Sequence, residues 1–333
     1  MNFKELNLQI KNGTLRKVYV LTGSEEYLKD FYLKRIKDQI VEENLALFNL
    51  NEFEGAKISA DGLVEALGSY PFMAEKKLVV LKNTAVFTRS YKNSEIKKTL
   101  MECISDMPDF LYLVFVEESM EKTSELYKLL EKYLSVVELD FLKTQDLIAW
   151  ITKQVGLRKK QITSEAVLYL IEKCDNSLYA IMRELDKLAN YLGDTDTIKK
   201  EHIDSIVTKS LESRIFDLVD SLIAGNKNLA LQILIDLKEL KEPNVKISSI
   251  ISQHFINLAF TKLQLSGNVP TSEIIKKMKK RDFVIRKYTQ QLRTMDMKFL
   301  EQTIEKCSIM DLQLKTSGNE DGFYALEQFI FSY

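Results

Sequence analysis

The apolar residues of this sequence change their periodicity after about residue 141, and this change constrains the fold more than any other feature. Before it, short runs rich in β-branched and aromatic residues alternate with helical patterns, whereas only helical patterns follow. Two of the early runs, KLVVL at 77–81 and FLYLVFV at 110–116, are apolar almost throughout. Such runs are typical of strands that are covered on both faces of a parallel sheet. The sequence therefore predicts an α/β domain with a mostly parallel sheet, followed by an all-helical region.

Five strands are predicted in the first region, with helices between them. They cover residues 17–21, 47–54, 77–81, 110–116 and 135–139. Ser59 is the expected N-cap of the helix after the second strand, because its hydroxyl can accept a hydrogen bond from the first turn. Beyond residue 141 no further strand is expected, and helices are predicted over 145–155, 164–173, 178–191, 200–207, 215–223 and 229–240.

Composition and charge narrow the classes of function. The 47 Lys and Arg residues balance 48 Asp and Glu residues, so the overall charge argues neither for nor against a nucleic-acid partner. Three cysteines and two histidines lie far apart, without the spacing of zinc ligands, and the cysteines are predicted to fill a core in the reducing cytosol. The N-terminal pattern is an amphipathic helix rather than a signal peptide, and no window approaches the roughly 18 apolar residues of a membrane span. We therefore expect a cytoplasmic protein with no metal site and no membrane partner.

The loop after the first predicted strand lacks the residues of a nucleotide site. Its sequence, LTGSEEYLKD, contains Gly23 but no second glycine and no Gly-Lys-Ser/Thr. Ser24, Glu25 and Glu26 are predicted in the first helical turn, where the two carboxylates complement the helix dipole but oppose a phosphate. The third strand ends in Lys82 and Asn83 rather than in the aspartate that would hold magnesium. No catalytic residue and no cofactor are therefore predicted.

Other candidate catalytic groups are explained more simply. The carboxylates of Glu117 and Glu118 are interpreted as solvated charges at a strand end. No Ser/His/Asp arrangement can be argued from two scattered histidines, and no flavin or NAD fingerprint is present. The sequence is typical of a protein that binds rather than catalyses.

An apolar stretch stands at a predicted turn, in GSYPFMAEKK at 68–77. Gly68 is expected to end a helix in the left-handed conformation, and Pro71 prevents its continuation. Phe72 and Met73 would then be held on a constrained segment, which lowers the entropy lost on binding. From the residues alone, packing of Phe72 under its own domain is favoured over a binding role.

A basic cluster, KKMKKRDFVIRKY at 276–288, contains Asp282 as its only acid. Phe283 and Tyr288 lie between the cations, as in surfaces where bases stack and phosphates bind. The alternative is a solvated helical face beside aromatic core residues, and this alternative is favoured. The candidate DNA contacts are Lys276, Lys277, Lys279, Lys280, Arg281, Arg286 and Lys287.

Several segments, taken in order, resemble the delta subunit of the bacterial DNA polymerase III clamp loader, in its low-GC Gram-positive form. They run across essentially the whole chain, and the last contains the family's D-x-x-x-K pattern at Asp311 and Lys315. The segments are VYVLTGSEEYL at 18–28, YPFMAEKKLVVLKN at 70–83, YLVFVEE at 112–118, MRELDKLANY at 182–191, IKKEHIDSIV at 198–207, SRIFDLVDSLIAGNKNLALQILIDL at 213–237 and MDLQLKTSGNEDGFYALEQFI at 310–330.

The resemblance implies a three-part AAA+ architecture. Its parts would be an α/β domain without a functional P-loop over 1–141, a small helical lid over 142–210 and a helical collar for oligomerisation over 211–333. It also implies that Tyr70, Pro71, Phe72 and Met73 form an apolar plug for a ring-shaped sliding clamp.

The implied function is to hold the clamp open for loading onto primed DNA, within the replisome at the nucleoid. The implied partners are the beta clamp, the delta-prime and tau/gamma subunits, and DNA. ATP hydrolysis would belong to partner subunits, so that the chain is a non-catalytic component of the DNA-directed DNA polymerase holoenzyme. Two alternatives stay open: a stand-alone nucleic-acid-binding helical protein, and an AAA+ ATPase with an unconventional phosphate site.

Overall fold

A computed structural model describes residues 3–55, 58–193, 195–316 and 322–333. The chain divides into two compact units, Met1–Asp146 and Leu147–Tyr333. The first is an α/β unit and the second is almost entirely helical, which confirms the predicted fold class. The boundaries predicted at 141 and 210 stay predictions.

The first unit is built on a parallel five-stranded sheet with the order β2-β3-β4-β1-β5. All five residues of β1 are buried, and so are 77–81 of β3. The continuously apolar runs therefore occupy the interior of the sheet, as the sequence predicts. The strands are β1 Val18–Thr22, β2 Leu50–Glu54, β3 Lys77–Lys82, β4 Leu111–Glu117 and β5 Ser135–Glu138.

Helices connect these strands, and side-chain caps mark three of their starts. The Ser59 hydroxyl accepts a hydrogen bond from the Gly62 N–H at 3.3 Å, which confirms the predicted N-cap. Asn93 and Ser124 cap the two following helices in the same way. The helices of this unit are α1 Phe3–Asn12, α2 Glu26–Ile40, α3 Ala46–Asn49, α4 Ala60–Gly68, α5 Ser94–Ser105 and α6 Glu125–Leu130.

The predicted start of the second strand at residue 47 is wrong. A 3₁₀ turn over Glu43–Leu45 leads into the short helix α3, and β2 begins only at Leu50. The buried side chain of Asn49, at the end of α3, bonds to a segment 23 residues further along the chain. This tertiary contact overrides the local strand propensity of the apolar residues around it.

The second unit contains one feature that the sequence analysis missed. Gln161–Ile162 (β6) and Thr197–Ile198 (β7) form a parallel two-stranded pair, although no strand was expected beyond residue 141. Strands of two residues are too short to show a period of apolar residues, so the pair leaves no detectable pattern.

Helices make up the rest of the second unit. Helices α11 to α17 enclose one hydrophobic cluster, in which Phe255, Leu258 and Leu326 are fully buried. The helices that follow α6 are α7 Thr144–Leu157, α8 Ser164–Lys173, α9 Leu178–Leu192, α10 Lys200–Ile206, α11 Leu211–Ile223, α12 Lys227–Glu239, α13 Asn244–Ser266, α14 Thr271–Met278, α15 Asp282–Gln291, α16 Met297–Thr316 and α17 Phe323–Ser332.

Candidate functional site

The loop between α4 and β3, residues 69–76, presents large apolar side chains to solvent. Tyr70 is 82% exposed, Met73 is 79% exposed and Phe72 is 50% exposed, while Pro71 is partly buried. Phe72 is therefore not a core residue of the first unit. Several large apolar side chains close together on an exposed loop are a feature typical of interaction surfaces.

The helix before this loop ends differently from the prediction. Gly68 is the last residue of α4 and does not take a left-handed conformation. Ser69 is the C-cap residue instead, with an extended backbone at φ −75° and ψ 138°, and its N–H and its hydroxyl both donate to the Glu65 carbonyl, at 3.0 and 2.7 Å. The left-handed residue of the loop is Met73, with φ 49°. A methionine in this region costs of order 1–3 kcal/mol, so surrounding contacts must hold the loop in place.

One buried side chain provides such contacts. Asn49 is 1% exposed, and its Oδ1 accepts from the Phe72 N–H at 2.7 Å. Its Nδ2 donates to the Phe72 carbonyl at 2.9 Å. A single amide thus satisfies both backbone groups of Phe72, as a neighbouring strand would. The backbone of Phe72 is therefore held in one position by contacts within the chain itself.

A buried lysine secures the start of the loop. The Lys77 ammonium donates to the Ser69 hydroxyl at 2.5 Å, and Lys77 is 3% exposed. Burial lowers the pKa of Lys77 from its ordinary value. The loop is therefore held at Ser69, at Phe72 and at the first residue of β3.

Ring contacts support the apolar side chains. The Phe72 and Phe48 ring centroids lie 4.7 Å apart, and those of Tyr70 and Phe110 lie 5.0 Å apart. Phe48 is itself 52% exposed, and its neighbour Leu47 is 87% exposed.

Sequence analysis missed Leu47 and Phe48 because it placed them in a strand. Asn49 was the available signal against that assignment, since asparagine is depleted in strands, although Asn51 does lie within β2.

Hydrogen-bond donors of the loop between β1 and α2 are engaged by acceptors of the chain itself, at Leu139 and Asp140. The Ser24 N–H and hydroxyl both donate to Asp140 Oδ1, at 3.1 Å each, and the Glu25 N–H donates to the Leu139 carbonyl at 2.9 Å. Gly23 has φ +125°, and a Cβ there would lie 2.5 Å from the Leu139 oxygen. Residues 139–140 thus engage donors of the kind that a phosphate would need.

The helix after this loop starts later than predicted. Glu25 is the N-cap residue of α2, and Glu26 is the first helical residue, so Ser24 and Glu25 do not belong to the first turn.

A buried polar network lies among the strand ends of the same unit. Lys29 is fully buried and donates to Glu26 Oε1 at 2.7 Å. Glu117, at the end of β4, is 2% exposed, so its interpretation as a solvated charge is wrong. Its carboxylate accepts from the backbone N–H groups of Thr84 and Ala85, at 3.1 and 3.0 Å, and from the Thr84 hydroxyl. Burial raises the pKa of Glu117, and these hydrogen bonds oppose the rise.

The basic cluster is largely engaged within the second unit. Lys277 pairs with Glu273 at 3.0 Å, and Arg286 pairs with Asp282. The Arg281 guanidinium donates to the Asp175 carbonyl at 3.2 Å.

The aromatic residues of this cluster do not form two stacking platforms. Lys287 lies over the Phe216 and Phe283 rings, 4.9 and 5.8 Å from their centroids. Tyr288 is 3% exposed, so it offers no free ring face to a base. The predicted cations Lys276, Lys279 and Lys280 lie at the end of α14 and in the segment that follows it.

Two of the three cysteines lie in the core, and the third, Cys103, is partly buried. Cys174 and Cys307 are buried, and burial raises the pKa of each thiol to about 12. Over the described ranges, no three His, Cys, Asp or Glu side chains are grouped so as to hold a metal ion. Among those same residues, none of the helices combines the length and apolarity needed to cross a membrane.

Comparisons with known proteins agree with this fold. Residues 19–140 match the family described as DNA polymerase III, delta subunit, and residues 212–333 match its C-terminal domain. The DNA polymerase III subunit delta of Bacillus subtilis is 27% identical over 330 residues, which cover 96% of this chain and 94% of that protein. The probable delta subunit of Aquifex aeolicus is 21% identical over 249 residues, 73% of this chain and 69% of that one.

A solved structure extends the likeness to the whole chain. The Bacillus subtilis DNA clamp loader delta protein superposes with a TM-score of 0.79 at 26% identity, covering 99% of this chain and 98% of that one. The α/β unit and the helical unit are thus those of a clamp loader subunit. This chain belongs to the DNA polymerase III delta subunit family.

Proposed function

We propose that this delta subunit binds a ring-shaped sliding clamp through the α4–β3 loop and holds the ring open for loading onto primed DNA. The observation that carries the proposal is the fixed and exposed apolar loop itself. Tyr70, Phe72 and Met73 are at least half exposed, and Asn49 holds the backbone of Phe72 in place. Pro71 restricts the segment further.

Burial of these apolar side chains alone does not supply enough free energy for a stable complex with the clamp. Full burial of Phe72 and Met73 contributes about 3–6 kcal/mol before costs. Phe72 is already half covered in the free protein, so the contribution lies toward the lower end. Association alone costs about 4 kcal/mol or more. Further contacts beside the loop must therefore contribute to a stable complex.

Opening of the clamp requires that the subunit bind the open ring more tightly than the closed ring. A subunit that binds the open and closed rings equally would leave their populations unchanged. The subunit must therefore bind a geometry of the clamp that exists only when one subunit interface is released.

ATP hydrolysis belongs, in this proposal, to partner subunits. Asp140 and Leu139 engage the donors of the β1–α2 loop, which supports a chain without ATPase activity of its own. Stoichiometric ATP binding by the purified chain would overturn this part of the proposal.

Assembly is proposed to use the 211–333 region, with delta-prime and tau/gamma subunits as partners in the cytoplasm. Exposed apolar side chains on helices of this region support an oligomerisation surface. They include Leu229, Ile235, Leu312, Tyr324 and Phe331.

Contact with primed DNA through the basic cluster has weaker support, since several of its cations already have acidic or aromatic partners within the unit. A DNA affinity of the assembled loader that falls with salt, and falls less steeply after Lys276→Ala and Lys280→Ala, would support it. An unchanged salt slope would contradict it.

The experiment that tests the proposed contact is the affinity of the chain for its own organism's sliding clamp, with and without Phe72→Ala. We expect Kd to rise about tenfold or more, because a central aromatic anchor is lost. A melting temperature close to that of the unchanged protein shows that the fold is intact. Undiminished binding by the folded variant would place the contact elsewhere. A melting temperature lower by many degrees would instead show that Phe72 acts in packing.

A further inference from the structure

Helix α3 has an inverted distribution of polar and apolar side chains. Its two large apolar residues, Leu47 and Phe48, are 87% and 52% exposed, whereas Asn49 beside them is 1% exposed. Folding normally buries leucine and phenylalanine and leaves asparagine in water. The inversion therefore needs a reason beyond the stability of this unit.

Part of the reason is visible in the hydrogen bonds of Asn49. Its buried amide accepts one hydrogen bond from Phe72 and donates one to it, at 2.7 and 2.9 Å. With Asn49 pointing inward in so short a helix, the two residues before it are directed outward. The short helix α3 thus holds the 69–76 loop through Asn49 and exposes two further apolar side chains to solvent.

These side chains are continuous with the loop. The Phe48 and Phe72 ring centroids lie 4.7 Å apart, so the apolar surface runs from α3 onto the loop without a polar break between these rings. Leu47, Phe48, Tyr70, Phe72 and Met73 are all exposed, and the contact between Phe48 and Phe72 joins the two segments that carry them.

We propose that Leu47 and Phe48 form the second half of the clamp-contact surface, and that Asn49 is the residue that positions both halves. This proposal rests on the proposed function, because its occupant is the same apolar cleft of the sliding clamp that receives Phe72. Continuity of the two rings argues for one occupant, since a partner that covers Phe72 must also meet Phe48. The added area supplies contacts that the loop alone lacks.

A purely supporting role does not explain Leu47. Phe48 contacts Phe72 and could act only as its support, but a leucine that is 87% exposed adds little to the folded state. In a complex that covers it, the same side chain would contribute an apolar contact. A substitution of Leu47 therefore tests direct contact with the clamp separately from structural support of Phe72.

The test compares Leu47→Ala with Leu8→Ala. Leu8 is also an exposed leucine of the first unit, at 58%, on a helix that packs against β5. Strand β5 is the opposite edge of the sheet from β2, which follows α3. The affinity of each variant for the purified sliding clamp of the same organism is measured by titration, and its melting temperature is recorded.

We expect Leu47→Ala to raise Kd about fivefold or more, because an apolar contact in the interface is lost. Its melting temperature should be unchanged, and Leu8→Ala should change neither quantity. If Leu47→Ala binds as well as Leu8→Ala does while Phe72→Ala binds weakly, the second half of the surface is refuted and the proposed function stands. If neither Leu47→Ala nor Phe72→Ala weakens binding, both proposals fail.

Discussion

Asn49 joins two segments that are far apart in the sequence. Its amide oxygen and nitrogen bond to the two backbone groups of Phe72, 23 residues away. No pattern of apolar residues could reveal this pair, because the bonds depend on tertiary placement rather than on local periodicity. The residue most important for the shape of the loop is thus one that sequence analysis assigned to a strand.

Replacement of Asn49 by alanine should affect both stability and binding. We expect Asn49→Ala to lower the free energy of unfolding by about 2–3 kcal/mol, because two buried hydrogen bonds are lost and their backbone partners stay unsatisfied. Clamp affinity should also fall, even at a temperature where the variant is fully folded, because the loop loses its fixed shape. Asn44→Ala is the control, since Asn44 is exposed in the preceding turn. A loss of stability with unchanged clamp affinity would contradict the positioning role.

Gly23 is a second position that is sensitive to a single added atom, a Cβ. A Cβ there would lie 2.5 Å from the Leu139 oxygen, and φ is +125°. We expect Gly23→Ala to destabilise the first unit by about 2 kcal/mol or more, from the close contact and the backbone strain together. Gly68→Ala provides the control, because a Cβ at Gly68 meets nothing within 4 Å and φ is not positive. Urea unfolding of the two variants would contradict this account if Gly23→Ala proved as stable as Gly68→Ala.

Helix α13 carries a buried histidine whose protonation opposes folding. Burial lowers the pKa of His254 to about 4 from the usual 6.5, and Lys287 contributes in the same direction. The ring nitrogen Nε2 lies 2.8 Å from Gln291 Oε1, and the Gln291 amide donates to Asp220 at 2.7 Å. Since Gln291 directs its oxygen at the ring, the neutral imidazole donates through Nε2.

Stability should therefore fall on acidification. The unfolded chain binds a proton at about pH 6.5 and the folded chain only near pH 4, so this part of the stability is complete above pH 6.5 and is lost as pH falls toward 4. The full effect is about 3 kcal/mol. Unfolding free energies measured between pH 7 and pH 5 should show this slope in the unchanged protein and a smaller one in His254→Gln. Equal slopes in the two proteins would contradict the buried neutral histidine.

Regular elements were predictable where they are long enough to show a period. The helix predicted over 164–173 has those bounds in the structure, and the predicted strand at 135–139 differs by one residue. The short elements α3, β6 and β7 were missed, because two to four residues do not display a period. The apolar loop residues were visible because Phe72 and Met73 stand at a turn, whereas Leu47 and Phe48 join them only through the fold.

At the scale of the whole molecule, the chain combines the fold of a clamp loader subunit with a β1–α2 loop whose donors are engaged by Asp140 and Leu139. This combination supports the proposal above, in which the subunit acts by binding and ATP hydrolysis belongs to its partners. In that proposal, the apolar surface on the first unit would bind the clamp. The proposed assembly surface within 211–333 would bind the partner subunits.

A chain that stabilises an opened clamp must distinguish between two forms of the ring, so its affinity is measured for both. One is the unmodified clamp of the same organism, and the other is that clamp locked closed by cross-links across its subunit interfaces. We expect the locked ring to bind at least about tenfold more weakly, because only the unlocked ring can reach the favoured geometry. Equal affinity for the two rings would refute the proposed opening function, since a subunit without preference cannot hold a ring open.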